Sequence, residues 1–208
     1  IYPADGEAVP VTINGVTSNA VVAGGAGAFS VVFPTATIPY SATPYTITYA
    51  YAGDDNLNAA TNNTDTALTV NKASATVQLY DLVTTYNGSA HVVTNTTTPA
   101  GLSVTVTYAG HTWAPTNAGS YAVTGTVSDV NYQGSQTGTL VISQKELTVT
   151  GAVAQDKVYD GNNKAQITGA TLVGKVGSDD VTLANATTGT CAQATAGTGI
   201  SVATAPMT

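Results

Sequence analysis

The residues able to do acid–base, nucleophilic or metal chemistry are few in this chain, and their spacing suits none of it. His91 and His111 are the two histidines, Cys191 is the one cysteine, and Glu7 and Glu146 are the two glutamates. A zinc site needs several His, Cys or carboxylate ligands to converge, and neither histidine has a Cys or Glu at ligand spacing. His111 and Asp129 could be joined on paper to one of several serines, yet no nucleophile elbow or oxyanion-hole segment accompanies them. Glycoside hydrolysis needs two carboxyl groups flanking one bond, and Glu7 and Glu146 fall in different repeats. No catalytic residue and no cofactor is therefore assigned, and the chain is not expected to be an enzyme.

Other side chains have weaker chemical meaning. The adjacent acids Asp54-Asp55 and Asp179-Asp180 could join backbone carbonyls around calcium, a hard cation that takes oxygen ligands. No EF-hand or glycine-rich nonapeptide surrounds them, and the plainer reading is Asp capping a turn through downstream N–H groups. Trp113, in His-Thr-Trp-Ala-Pro, is either a sugar-stacking platform or, the simpler choice, a plug on one end of a sandwich. In Tyr86-Asn-Gly88 and Tyr159-Asp-Gly161 the glycine supplies the positive φ of a tight turn and the tyrosine anchors the preceding strand. Lys157 or Lys164 with Asn162 or Asn163 has the residue types of a Lys–Asn isopeptide cross-link, but these lie in a turn. Ser103, Thr105 and Thr107, with Thr124 and Thr126, form hydroxyl rows that suit any solvent-facing strand.

The elements that must position these residues are strands. Tyr45, Ile47, Tyr49 and Tyr51 alternate with Thr46, Thr48 and Ala50, and the same period of two returns in 102–108 and 121–127. No segment has the apolar spacing and caps of a helix, so less than about a tenth helix is expected. Gly, Pro, Asn and Asp punctuate the runs, as at Asn87-Gly88, Ala118-Gly119 and Asp160-Gly161. Hydrophobic residues make up 43% of the 208 and charged residues only 8%, against roughly 25% charged in an average soluble protein. The surface is therefore covered by Thr, Ser, Asn and Gly. There is no arginine, and the five lysines leave a net charge of −7. Without a basic stripe, nucleic acid is not an expected partner. No apolar run approaches the roughly 18 residues that span a bilayer, so no membrane insertion is expected in this segment.

Internal similarity sets the organisation. Tyr86-Asn-Gly and Tyr159-Asp-Gly, and likewise Lys72 and Lys145, recur at a spacing of 73 residues. Asp54-Asp-Asn-Leu57 and Asp129-Val-Asn-Tyr132 each follow a Tyr-containing strand and precede another. Repeats of this size are small sandwiches, with boundaries near Lys72 and Gln144. The connectors contain no Pro-, Gly- or Ser-rich linker, which implies modules placed end to end as a rod.

The quoted residues also carry family resemblances. Residues 1–72, through ITYAYAGDDNLN at 47–58, resemble bacterial immunoglobulin-like repeats. Residues 73–144, through TYNGSAH, PAGLSVTVTYAG and APTNAGSYAVTGTV, resemble the mostly-β, glycine-rich repeats of bacterial surface proteins. Residues 145–208, through ELTVTGAVAQDKVYDGNNKA and GSDDVTL, resemble the repeats named for their Tyr-Asp-Gly motif. Against those patterns the first lacks opening strands and the third stops near Met207 before its closing strands, so the expectation is an internal fragment with unpaired edges open to strand-mediated self-association. The resemblance implies an all-β, immunoglobulin-like fold and a stalk or spacer segment of a large extracellular or cell-surface adhesin. Neighbouring repeats of the same polypeptide are then the partners. The alternatives it leaves are a module binding a glycan or host surface protein, and a subunit of a filament or surface layer.

Overall fold

The computed structural model describes residues 1–62 and 66–205; Met207 lies outside them. The chain is all-β, and among the described residues the only helical element is a single 3-10 turn at Thr35–Thr37. None is long and apolar enough to cross a membrane. Among the described residues seven strands precede residue 75: β1 (Ala8–Ile13), β2 (Val16–Ala23), β3 (Ala28–Ser30), β4 (Tyr45–Tyr51), β5 (Ala60–Asn62), β6 (Ala67–Leu68) and β7 (Ala73–Ser74). Seven more follow to residue 143: β8 (Thr76–Tyr80), β9 (Val83–Thr85), β10 (Thr94–Thr98), β11 (Val104–Tyr108), β12 (Gly119–Val127), β13 (Tyr132–Gln133) and β14 (Ser135–Ser143). The rest are β15 (Thr148–Thr150), β16 (Val153–Ala154), β17 (Lys164–Thr168), β18 (Thr171–Val173), β19 (Thr188–Cys191) and β20 (Val202–Thr204). By compactness the residues form two units, one of 1–78, 95–105 and 125–136, the other of 79–94, 106–124 and 137 onward.

The strands between residues 8 and 68 form a sheet of order β3-β2-β1-β4-β5, with β6 also on β4, that carries one apolar face. Asn14 and Gly15 both have positive φ, which closes the β1–β2 hairpin and pairs Ile13 with Val16. That register turns Val9, Val11, Ala20 and Val22 inward as a buried cluster. Because Val11 pairs with Tyr49 and Ile13 with Ile47, the Tyr/Ile face of β4 joins the same side. Val31 and Phe33 pack on it. The alternation read from the sequence is thus right in direction, although Thr48 and Ala50 on the other side of β4 are half-buried too.

The middle repeat has sheets β10-β8 and β11-β12-β14-β9 and the pair β13-β7. Val77 and Leu79, Val123 and Val127, and Leu140 and Ile142 are buried at every second position of their strands. Antiparallel pairing predominates along the chain, while β9 pairs with β14 and β7 with β13 in parallel. Between β8 and β9 the backbone kinks at Asp81, whose φ is +60°. That kink ends β8 in one sheet and lets β9 begin in the other.

The last segment forms the pair β15-β18 and the sheet β16-β17-β19-β20. Among its described residues only Ala165 and Ile167, alternating on β17, are buried apolar side chains.

Candidate functional site

The acidic pairs separate into different jobs. Asp54 sits in the β4–β5 turn, where its Oδ1 accepts the N–H groups of Asn56 at 2.6 Å and Leu57 at 2.7 Å. The Asn56 N–H, then that of Leu57, the Tyr51 hydroxyl and Glu7 hold the Asp54 carboxyl below the usual carboxylate range, against an opposing pull from partial burial. Asp54 is therefore the turn cap that its sequence context suggests. Tyr51 donates to Glu7 Oε2 at 2.5 Å, and this bond above all raises the tyrosine's pKa. Asp179 departs from the turn-cap expectation, because its Oδ1 accepts the Tyr86 hydroxyl at 3.0 Å. Asp55 and Asp180 are exposed. Among the described residues no three His, Cys, Asp or Glu side chains gather as a metal site requires.

The histidines have different surroundings. His111 is exposed and stacks on Trp113 with ring centres 4.7 Å apart and planes at 22°. Trp113 is 63% exposed, so it is not the plug of a sandwich end. Pro115, two residues on, is buried in its place, and the indole is left stacked on the exposed His111. His91 is half-buried, its backbone N–H donating to Pro115 O at 3.0 Å and its Nε2 buried without a hydrogen-bond partner. Asp129, drawn on paper beside His111, instead caps a turn through the N–H groups of Asn131 at 2.7 Å and Tyr132 at 3.0 Å.

That turn belongs to a joint which the sequence signals only through the Lys72 and Lys145 echo. Lys72 Nζ donates to Asp129 O at 2.7 Å and lies 5.3 Å from the centre of the Tyr40 ring. The Tyr40 N–H donates to Asn131 Oδ1 at 2.9 Å, and the Ala73 N–H to Asn131 O at 2.8 Å. One four-residue turn thus holds both sides of the connector.

The two Tyr-Asx-Gly turns share backbone and differ in surroundings. Gly88 and Gly161 have φ near +80° and +76°. Asn87 Oδ1 accepts the Ser89 N–H, and Asp160 Oδ1 that of Asn162. In the second turn Lys157 Nζ is ringed by oxygens: Asp160 Oδ1 at 2.6 Å, Asn162 Oδ1 at 3.0 Å, and the carbonyls of Asn162 at 3.1 Å and Lys164 at 3.0 Å. The ammonium, followed by the Asn162 N–H, holds the Asp160 carboxyl below its ordinary range. Asn162 is thus a neighbour of Lys157, with Asp160 touching both, while Asp160 is about half exposed.

Residues 75–146 match the family model of the MBG domain, and residues 143–208 match that of the YDG domain. The chain carries an MBG domain followed by a YDG domain. No curated protein and no solved structure matches it significantly. The two matches overlap at 143–146, so the MBG domain runs into the YDG domain with no spare linker. Tyr86 and Gly88 belong to the MBG domain and Asp179 to the YDG domain. The Tyr86–Asp179 bond therefore crosses that junction, and it is the principal cause of the raised Tyr86 pKa.

Proposed function

We propose that this chain is a structural spacer, a stalk segment of a large secreted or cell-surface adhesin-like protein, working outside the cell. In this reading residues 1–72 are a bacterial immunoglobulin-like repeat that precedes the MBG and YDG domains in the same array. The observation that carries the reading is the junction without slack: β14 ends at Ser143, β15 begins at Thr148, and Tyr86 bonds Asp179 across the four residues between. A spacer transmits position only where its joints do not swing, and a hydroxyl-rich, weakly acidic surface keeps it hydrated and non-adhesive. Small-angle scattering tests this. Three modules in line, each on the order of 35–40 Å from strand rise, give a maximum dimension of about 100 Å. A value near roughly 45 Å, that of a compact globule of this length, contradicts the reading.

The stacked His111–Trp113 pair favours a second reading, a site where a glycan lays a sugar face on the exposed indole. A glycan array followed by tryptophan fluorescence titration separates it from the first. Quenching that is lost in Trp113→Ala supports it, and a blank array removes it.

A further inference from the structure

We propose that the Tyr86-Asn-Gly88 turn of the MBG domain is a seat that receives the 174–181 loop of the YDG domain, and that this docking sets the angle at the junction. It extends the spacer reading to a particular surface and is tested separately from it.

Two observations at different atoms support the seat. The Tyr86 hydroxyl reaches Asp179 Oδ1 at 3.0 Å, 93 residues along the chain. Two residues further on, a Cβ placed on Gly88 would come within 2.8 Å of Val176 Cγ1, so the missing side chain makes room for the valine. Both partners are held for the contact. The Tyr86 N–H donates to Ser143 O at 2.9 Å, on the strand that leads into the YDG domain. The loop is folded on itself by the Asp179 N–H on Val176 O at 3.0 Å and the Val181 N–H on Asp179 O at 3.1 Å. Val176 and Asp179 are thereby presented together, and a cleft of about 370 Å³ lined by Gln144, Lys145 and Leu147 lies beside them.

The YDG domain supplies an internal control. Its own Tyr159-Asp160-Gly161 turn has the same backbone form, yet Tyr159 is 67% exposed and a Cβ on Gly161 would meet nothing within 4 Å. Positive φ accounts for the glycine in both turns, but not for the half-buried Tyr86 or for the valine packed against Gly88. The docked loop does.

The experiment is a spin-label distance measurement on the full chain, with Ala122→Cys in the MBG domain and Thr171→Cys in the YDG domain, in a Cys191→Ser background. Tyr86→Phe keeps the ring and the fold while removing the donor, and the undocked population should rise about fivefold for one hydrogen bond. Tyr159→Phe should leave the distribution unchanged. Gly88→Ala should broaden it strongly, and adding Val176→Ala should restore much of the narrow peak, because the clash goes while the φ strain stays. Two results would overturn the proposal: Tyr86→Phe indistinguishable from the parent, or Gly88→Ala unrelieved by Val176→Ala and no broader than Gly161→Ala. A compact scattering envelope with these responses intact would refute the spacer and leave the seat standing.

Discussion

The MBG and YDG domains are neighbours of similar length and similar strand chemistry, yet they are held together by different forces. The MBG domain buries Leu79, Val123, Leu140 and Ile142, with Tyr108, whose hydroxyl accepts the Val93 N–H at 2.8 Å. The described YDG residues bury only Ala165 and Ile167, and order their signature turn with polar contacts around Lys157. Burial is the dominant stabilising term, whereas exposed ion pairs contribute little. A β domain can thus keep its turn chemistry while its core thins, provided something else holds its loops. The seat at Tyr86 is such a support.

The comparison can be broken by mutation, and the largest effect should come from the MBG core. Leu140 is fully buried, and Leu140→Ala should cost about 2–5 kcal/mol, with loss of the YDG domain's order as well, read by denaturant unfolding. Ile167→Ala should cost less, near about 2 kcal/mol, because a thin core relaxes into the cavity, and it should loosen the YDG domain alone. If Ile167→Ala unfolds the MBG signals too, the asymmetry is wrong.

Acid should act next, and on the YDG turn. The Asp160 pKa is depressed in the folded chain, so its stabilisation is fully present above the unfolded carboxylate value of about 3.9 and lost as pH falls through the folded value. Nuclear magnetic resonance should show the 157–164 turn loosening below about pH 4, weakly because the pair is half exposed and screened by salt. Asp160→Asn should abolish the transition, and persistence of the transition in that variant would assign it elsewhere. The smallest effect belongs to Trp113→Ala. With the indole exposed, thermal stability should change by less than about 0.5 kcal/mol, and a larger loss would revive the plug.

Much of the fold is legible in the sequence because strand period and turn chemistry are local. Val123 and Val127, Leu140 and Ile142, and the Asn14-Gly15 hairpin all follow from spacing of two and from glycine after asparagine. The parallel pairing of β9 with β14 is not legible, since it depends on a kink at Asp81 whose positive φ no neighbouring glycine announces. The site divides in the same way. Asp54 as a turn cap is written in Asp-Asp-Asn-Leu, while Asp179, likewise the first of two adjacent acids, meets Tyr86 instead, a partner 93 residues away. The 73-residue echo of Lys72 and Lys145 marks where the joints lie, and says nothing of which atoms close them.

Native-state hydrogen exchange on the full chain tests most directly whether the MBG domain is the rigid member and the YDG domain the docked one. Amides of β12 and β14 should exchange last, through global unfolding, while those of β17 and β19 exchange earlier, through an opening confined to the YDG domain that Tyr86→Phe makes more frequent. Equal protection in both sets of strands, unchanged by Tyr86→Phe, would contradict it.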